Sequence, residues 1–196
     1  MKIWYPMLVY LAIQAITPGP NNLTCLFLGG KYGLKGSMRF ISGSMTGLFA
    51  KTLLCGLLNL VLYNVMPTVS AWLKWIGAAY MLYLAYCMCV SGWKGEEENE
   101  SGSYESTVAS GLMLQLLNGK SWIAAISLFS VYVIPVSTEF KAILFASVCF
   151  TVICFCCSVL WTLFGTGLKN FIAKYRKPFG IVMGLSMIWC AVNAII

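Results

Sequence analysis

Thr17-Pro18-Gly19-Pro20-Asn21-Asn22 stands near the middle of an apolar run that extends from about residue 3 to residue 29. Pro18 and Pro20 lack the N–H groups that the carbonyls of Gln14 and Ile16 would otherwise accept from, and the residue before each proline is pushed toward extended geometry. The run therefore reads as a helix that ends, turns and restarts. Its solvent follows from composition: 60% of the chain is hydrophobic and 10% charged, against roughly 25% charged in ordinary soluble domains. A helix crossing a bilayer needs about 20 mostly apolar residues. Further apolar runs at about 38–66, 69–91, 109–134, 140–166 and 178–196 complete the expectation of an all-α membrane protein with six transmembrane helices, the first broken at Pro-Gly-Pro. Each run is far longer than a membrane strand and lacks the alternation of a barrel. Residues 1–16 resemble a signal peptide superficially, but with five more spans behind them they read as a retained first helix.

Residues 92–107 break the apolar pattern. They hold five of the six acidic residues, at Glu96, Glu97, Glu98, Glu100 and Glu105, and almost no apolar content, so they read as a mobile acidic linker. The expected organisation is a first three-helix repeat over 1–91, the linker over 92–107 and a second three-helix repeat over 108–196. An odd number of passes inserts the two halves with opposite orientation, the plan of inverted-repeat transporters. A polar interruption falls in the first helix of each half, at Thr17–Asn22 and at Asn118–Ser121, and the third helices open alike on Trp75-Ile76-Gly77 and Phe179-Gly180.

The formal charge of +7 does not indicate nucleic acid, which requires a solvated basic face; here the basic residues flank apolar runs and set topology. Lys31, Lys35, Arg39, Lys94, Lys169, Lys174, Arg176 and Lys177 share one side, and Lys2, Lys74 and Lys141 the other. The richer side faces the cytoplasm under the positive-inside rule, which places both termini outside it. The nine cysteines all lie within apolar runs, where cysteine packs as a small hydrophobe, and the chain has no histidine, so neither a disulfide framework nor a metal site is expected.

Backbone left unpaired at membrane depth is tolerated only where it is buried in protein or lines a wet cavity. With Gly19 capping the second half-helix and Pro20 in its first position, the N–H groups near Asn21 and Asn22 offer the positive end of a helix dipole to a carboxylate. The carbonyls of the first half-helix are then free to accept from an ammonium, and the two seats together match an amino-acid backbone. The plainer alternative is a proline kink whose backbone is satisfied by the Asn side chains. Lys51 lies midway along the second run, where a cation is costly and marks an interior, substrate-facing site, the alternative being a side chain that snorkels to the interface. Gly43 and Gly47 share its face at spacings of four and, with Gly77, are expected at close helix contacts. Gln115, Asn118, Lys120 and Ser121 interrupt the fourth run. Asn118-Gly119-Lys120-Ser121 imitates the tail of a phosphate loop, but Leu114 stands where its first glycine belongs. Lys120 is expected to meet a substrate carboxylate or to tie the halves together.

Outside the linker the only acidic residue is Glu139, and the chain has no aspartate. The carboxylates, histidines and paired nucleophiles of membrane enzymes are missing, so no enzyme, catalytic residue or cofactor is expected. Two intramembrane lysines without a carboxylate disfavour a cationic cargo.

Thr17 to Leu23, the glycine-punctuated second helix, Trp75-Ile76-Gly77-Ala78-Ala79-Tyr80, the Gln115–Lys120 element and the basic stretch before the sixth helix together resemble the lysine exporter (LysE/RhtB) family of amino-acid efflux proteins, almost end to end. Pro18-Gly19-Pro20-Asn21-Asn22, Gly77-Ala78-Ala79-Tyr80 and Cys190-Ala191-Val192 are most similar to its cysteine and O-acetylserine branch. The resemblance implies export of small neutral amino acids across a bacterial inner membrane without ATP hydrolysis, with the bilayer and the amino acid as partners and a homo-oligomer as an open option. A homoserine or threonine exporter and a small helical channel remain alternatives. Many members carry Asn-Pro-Lys in the fourth helix; Gly119 replaces that proline, which implies a softer break. Lys51 matches no family motif.

Overall fold

The computed structural model describes residues 4–93 and 106–195; for 60–74, 92, 194 and 195 it describes the backbone alone. Helix α1, Trp4–Ile16, stops where the prolines require, and α2 restarts at Pro20 with Gly19 extended ahead of it and proline in its first turn. This fits the missing proline N–H, which a first turn does not need. From there α2 runs to Leu57, spanning what the sequence divides into two runs. Its interruption is a single residue, Gly33, at φ 69 and ψ −178. Only glycine enters that region without strain, and the chain turns there without a loop.

Helix α3 covers Asn59–Trp93. The expected interruption near residues 67–68 is instead at Leu58, whose N–H donates to Leu54 O at 2.9 Å, with Asn59 Nδ2 donating to Ser130 Oγ at 3.1 Å. That tertiary bond, which hydropathy cannot register, anchors the turn. Most of the acidic linker, residues 94–105, lies outside the described residues. Beyond it, Thr107 and Ser110 form a reciprocal capping box that starts α4, Val108–Leu117. The next helix, α5, is Gly119–Ser127 and continues through an i to i+5 turn over Leu128–Val133. Then follow α6 at Phe140–Gly167, the short α7 at Lys169–Lys174 and α8 at Arg176–Ile195.

The fourth-helix break is sharper than its missing proline implies. Asn118 adopts ψ 96, and α4 meets the following helix at 63°. Other groups do the work of the proline: the Trp122 indole N–H takes Leu116 O at 2.8 Å, and Lys51 takes Gln115 O at 2.6 Å. Carbonyls satisfied sideways no longer favour continuation of the helix.

Close packing rests on glycine. A Cβ on Gly29 would strike the Thr162 backbone and one on Gly165 the Leu26 carbonyl, which locks the first arm of α2 to α6. A Cβ on Gly43 would strike Val108 O and one on Gly111 would strike Phe40 O, which locks the second arm of α2 to α4. Gly47 faces Leu112 and Gln115, and Gly77 abuts Leu117 O. Small residues of this kind let helix backbones approach where lipid leaves no hydrophobic drive for association. Helix α3 packs chiefly on α8.

Polarity is inverted relative to a soluble protein. Asn22, Ser44, Lys51, Thr52, Gln115 and Ser121 are buried, while Phe145, Val152, Phe155, Leu160, Leu163 and Phe164 of α6 are exposed. An apolar shell of that extent requires a partner, and here it is lipid. Among the described residues α2 and α6 are long and apolar enough to cross a membrane alone, and the bent α4–α5 pair is long and apolar enough when its two helices are counted together.

Candidate functional site

The two breaks meet. A cavity of about 50 Å³ lies between them, lined from the first by Gln14, Ala15, Thr17, Gly19, Asn21 and Asn22 and from the second by Gln115, Asn118, Lys120 and Ser121. Met45, Leu48, Ala124, Phe150 and Cys154 complete the wall. At about 10–15 Å³ for one water in such a measure, the cavity holds a few waters and is closed down for anything larger.

The carbonyls at the end of α1 are already engaged. The Lys120 ammonium donates to Gln14 O at 3.3 Å and Thr17 O at 3.1 Å. Asn22 Nδ2 donates to Ala15 O at 2.7 Å and Thr17 O at 3.1 Å. The ammonium seat expected for a substrate thus holds the protein's own lysine, and Lys120 ties the halves together. Gly19 lies against it: a Cβ there would make ordinary contact, at 3.4 Å, with the Lys120 side chain.

Lys51 is 2% exposed and lies behind the cavity wall rather than in it. Its ammonium donates to Gln115 O and to Ser121 Oγ, and sits 5.3 Å from the centre of the Trp122 ring. Ser121 Oγ donates its own hydrogen bond to Asn118 O at 2.8 Å. Each lysine therefore closes the negative end of one half-helix, Lys120 on α1 and Lys51 on α4, the placement that a helix dipole favours for a cation.

The positive ends are open. Gly19 and Asn118 are the N-caps of α2 and α5, and neither start carries a side-chain cap. Both point their first-turn residues at the cavity. The Asn21 side chain instead bridges three segments: its Nδ2 donates to Ser158 Oγ at 3.0 Å, and its Oδ1 accepts from Ser44 Oγ at 2.6 Å. Gln115 is 3% exposed, and its Oε1 has no hydrogen-bond partner.

Of the residues singled out from sequence, Thr17, Gly19, Asn21, Asn22, Gln115, Asn118 and Lys120 line the cavity; Pro18, Pro20 and Lys51 do not. Pro18 is exposed, and Pro20 is buried in the first turn of α2. Sequence reasoning passed over Ser44 and Ser158. Their only signal was a hydroxyl in a long apolar run, which many helices carry on their own backbone.

A lipid-facing helical body folded around a polar cavity between two broken helices is the build of a membrane transport protein. The chain belongs to the LysE type translocator family, whose sequence model matches residues 12–196. The cysteine/O-acetylserine efflux protein of Escherichia coli K12 is 29% identical to it over 186 residues, 94% of this chain and 93% of the relative. The protein of the same name from Salmonella typhimurium LT2 is 29% identical over 184 residues, with 94% and 93% covered. No solved structure matches the chain.

Proposed function

We propose that this protein exports small neutral amino acids, such as cysteine or O-acetylserine, from a bacterial cytoplasm across the inner membrane by alternating access around the cavity between the two breaks. Family membership and the near full-length likeness to efflux proteins bear on the class of activity. The observation that carries the mechanism is the pair of uncapped helix starts at Gly19 and Asn118, which face one shared cavity. Half-helix N-termini at the bilayer midplane are a recurrent seat for substrate carboxylates.

The reading takes the chain as six spans in two inverted three-helix repeats. Its support is the reciprocal packing of the halves: the first arm of α2 lies on α6 of the second half, and α4 of the second half lies on the second arm of α2. The cavity as it stands belongs to a closed state. The Asn21 bridge to Ser44 and Ser158 closes one side, and its opening admits substrate.

Cells with and without the protein, loaded with labelled O-acetylserine, cysteine, homoserine and threonine, test the proposal. Faster, saturable efflux of at least one of them is expected, and the ranking separates the cysteine-type from the homoserine-type reading. Unchanged efflux of all four overturns it, and flux that never saturates would indicate a channel.

A further inference from the structure

The cavity presents an unequal account of charge. Both negative half-helix ends are closed by lysines, and Leu116 O is closed by the Trp122 indole. Both positive ends are open. Among the described residues the single carboxylate is the exposed Glu139. An ammonium entering the cavity finds the Lys120 ammonium on its wall and the Lys51 ammonium behind Gln115, with the backbone carbonyls named above already in use. A carboxylate finds free N–H groups and a cation. What remains for the rest of the substrate is Gln115, a residue of the cavity wall whose neutral acceptor Oε1 is buried without a partner. A buried acceptor in that condition carries a desolvation penalty that a ligand donor relieves. An amide oxygen asks for a hydrogen, not for a positive charge.

We infer that the site recognises a small carboxylate with a hydrogen-bond donor on the neighbouring carbon, whether that donor is an ammonium or a neutral hydroxyl, so that α-hydroxy acids are ligands of the same cavity. The inference rests on the exporter reading and goes further in naming the ligand class. The carboxylate lies between the starts of α2 and α5, and the α-substituent lies on Gln115. The ammonium of an amino acid serves as one donor among others.

The test is counterflow of labelled O-acetylserine in proteoliposomes of the full chain, at mildly acidic pH where the ester keeps its acetyl group on oxygen. Three unlabelled competitors divide the recognition elements: glycerate has the carboxylate and an α-hydroxyl, propionate the carboxylate alone, and serinol the ammonium and hydroxyls without a carboxylate. Glycerate is expected to compete within about tenfold of unlabelled O-acetylserine, a gap of ~1.4 kcal/mol. Propionate should compete more weakly, and serinol not at all. In Gln115→Leu the advantage of glycerate over propionate should vanish. Competition by serinol as strong as that of glycerate overturns the inference, as does a failure of glycerate at about a hundredfold excess while O-acetylserine still exchanges. Absence of counterflow with any amino acid would instead remove the exporter reading and this inference together.

Discussion

Lys120 and Lys51 each end on carbonyls of a helix that has just stopped, one from across the molecule and one from an adjacent helix. Their positions in the sequence are visible as costly intramembrane cations. Their partners are not, because those carbonyls belong to segments 103 or more residues away for Lys120 and 64 for Lys51. The sequence therefore pointed Lys51 toward substrate and left Lys120 between a substrate carboxylate and a tie across the halves, and both ammonium groups donate to backbone carbonyls. Lys51→Met keeps the hydrocarbon stem and removes the donor, leaving Gln115 O and Ser121 Oγ short of a partner. It should cost about 1.5–3 kcal/mol, by the usual worth of hydrogen bonds to a charged group, and a lower midpoint of thermal unfolding in detergent is the expected result. Lys120→Ala touches the cavity as well, so O-acetylserine efflux should fall about tenfold or more, corresponding to ~1.4 kcal/mol or more of lost stabilisation. Initial efflux rates, normalised to membrane protein level, would show it.

At the level of helices, the first break was legible because proline writes it into the sequence; the second was legible as a polar interruption, but its sharpness was not, because at Asn118 the work is done by Trp122 and Lys51 reaching sideways. Gly119 is the first residue of α5, has open space where a side chain would begin, and follows a residue already in extended geometry. All three conditions suit proline. Gly119→Pro should therefore stabilise the protein by about 0.4–1 kcal/mol, through a less flexible unfolded chain, with the thermal midpoint raised. Glycines at the helix contacts behave oppositely. Gly111→Ala drives a methyl into Phe40 O and within 2.8 Å of Ser44 N, and overpacking of this kind costs about 1–3 kcal/mol. Gly167→Ala, which meets nothing within 4 Å, is its control. Thermal unfolding of the pair should separate them clearly. Apolar run length located most of these helices, but hydropathy averages over a single residue such as Leu58 and so placed the end of α2 about nine residues late.

Across the whole molecule, composition already dictated the inverted polarity: too few charges for water and too many apolar residues for one core. Orientation is the remaining global property, and from the eight-to-three distribution of Lys and Arg we propose that both termini lie outside the cytoplasm. Alkaline phosphatase fused at the C-terminus should be active and green fluorescent protein there dark; the reverse pattern would invert the proposed topology. The full wall of the cavity could not be read from sequence, since it draws on α1, α2, α4, α5 and α6 at once and takes Met45, Leu48, Ala124, Phe150 and Cys154 from outside the two breaks. One member of that wall is Cys154. Its thiol gives the molecule a built-in chemical reporter: a small charged thiol reagent that cannot cross lipid will modify it only while the cavity communicates with the compartment holding the reagent. Labelling from one face and then the other, with and without cargo, would turn an ordinary side chain into a clock for how long each mouth stays open.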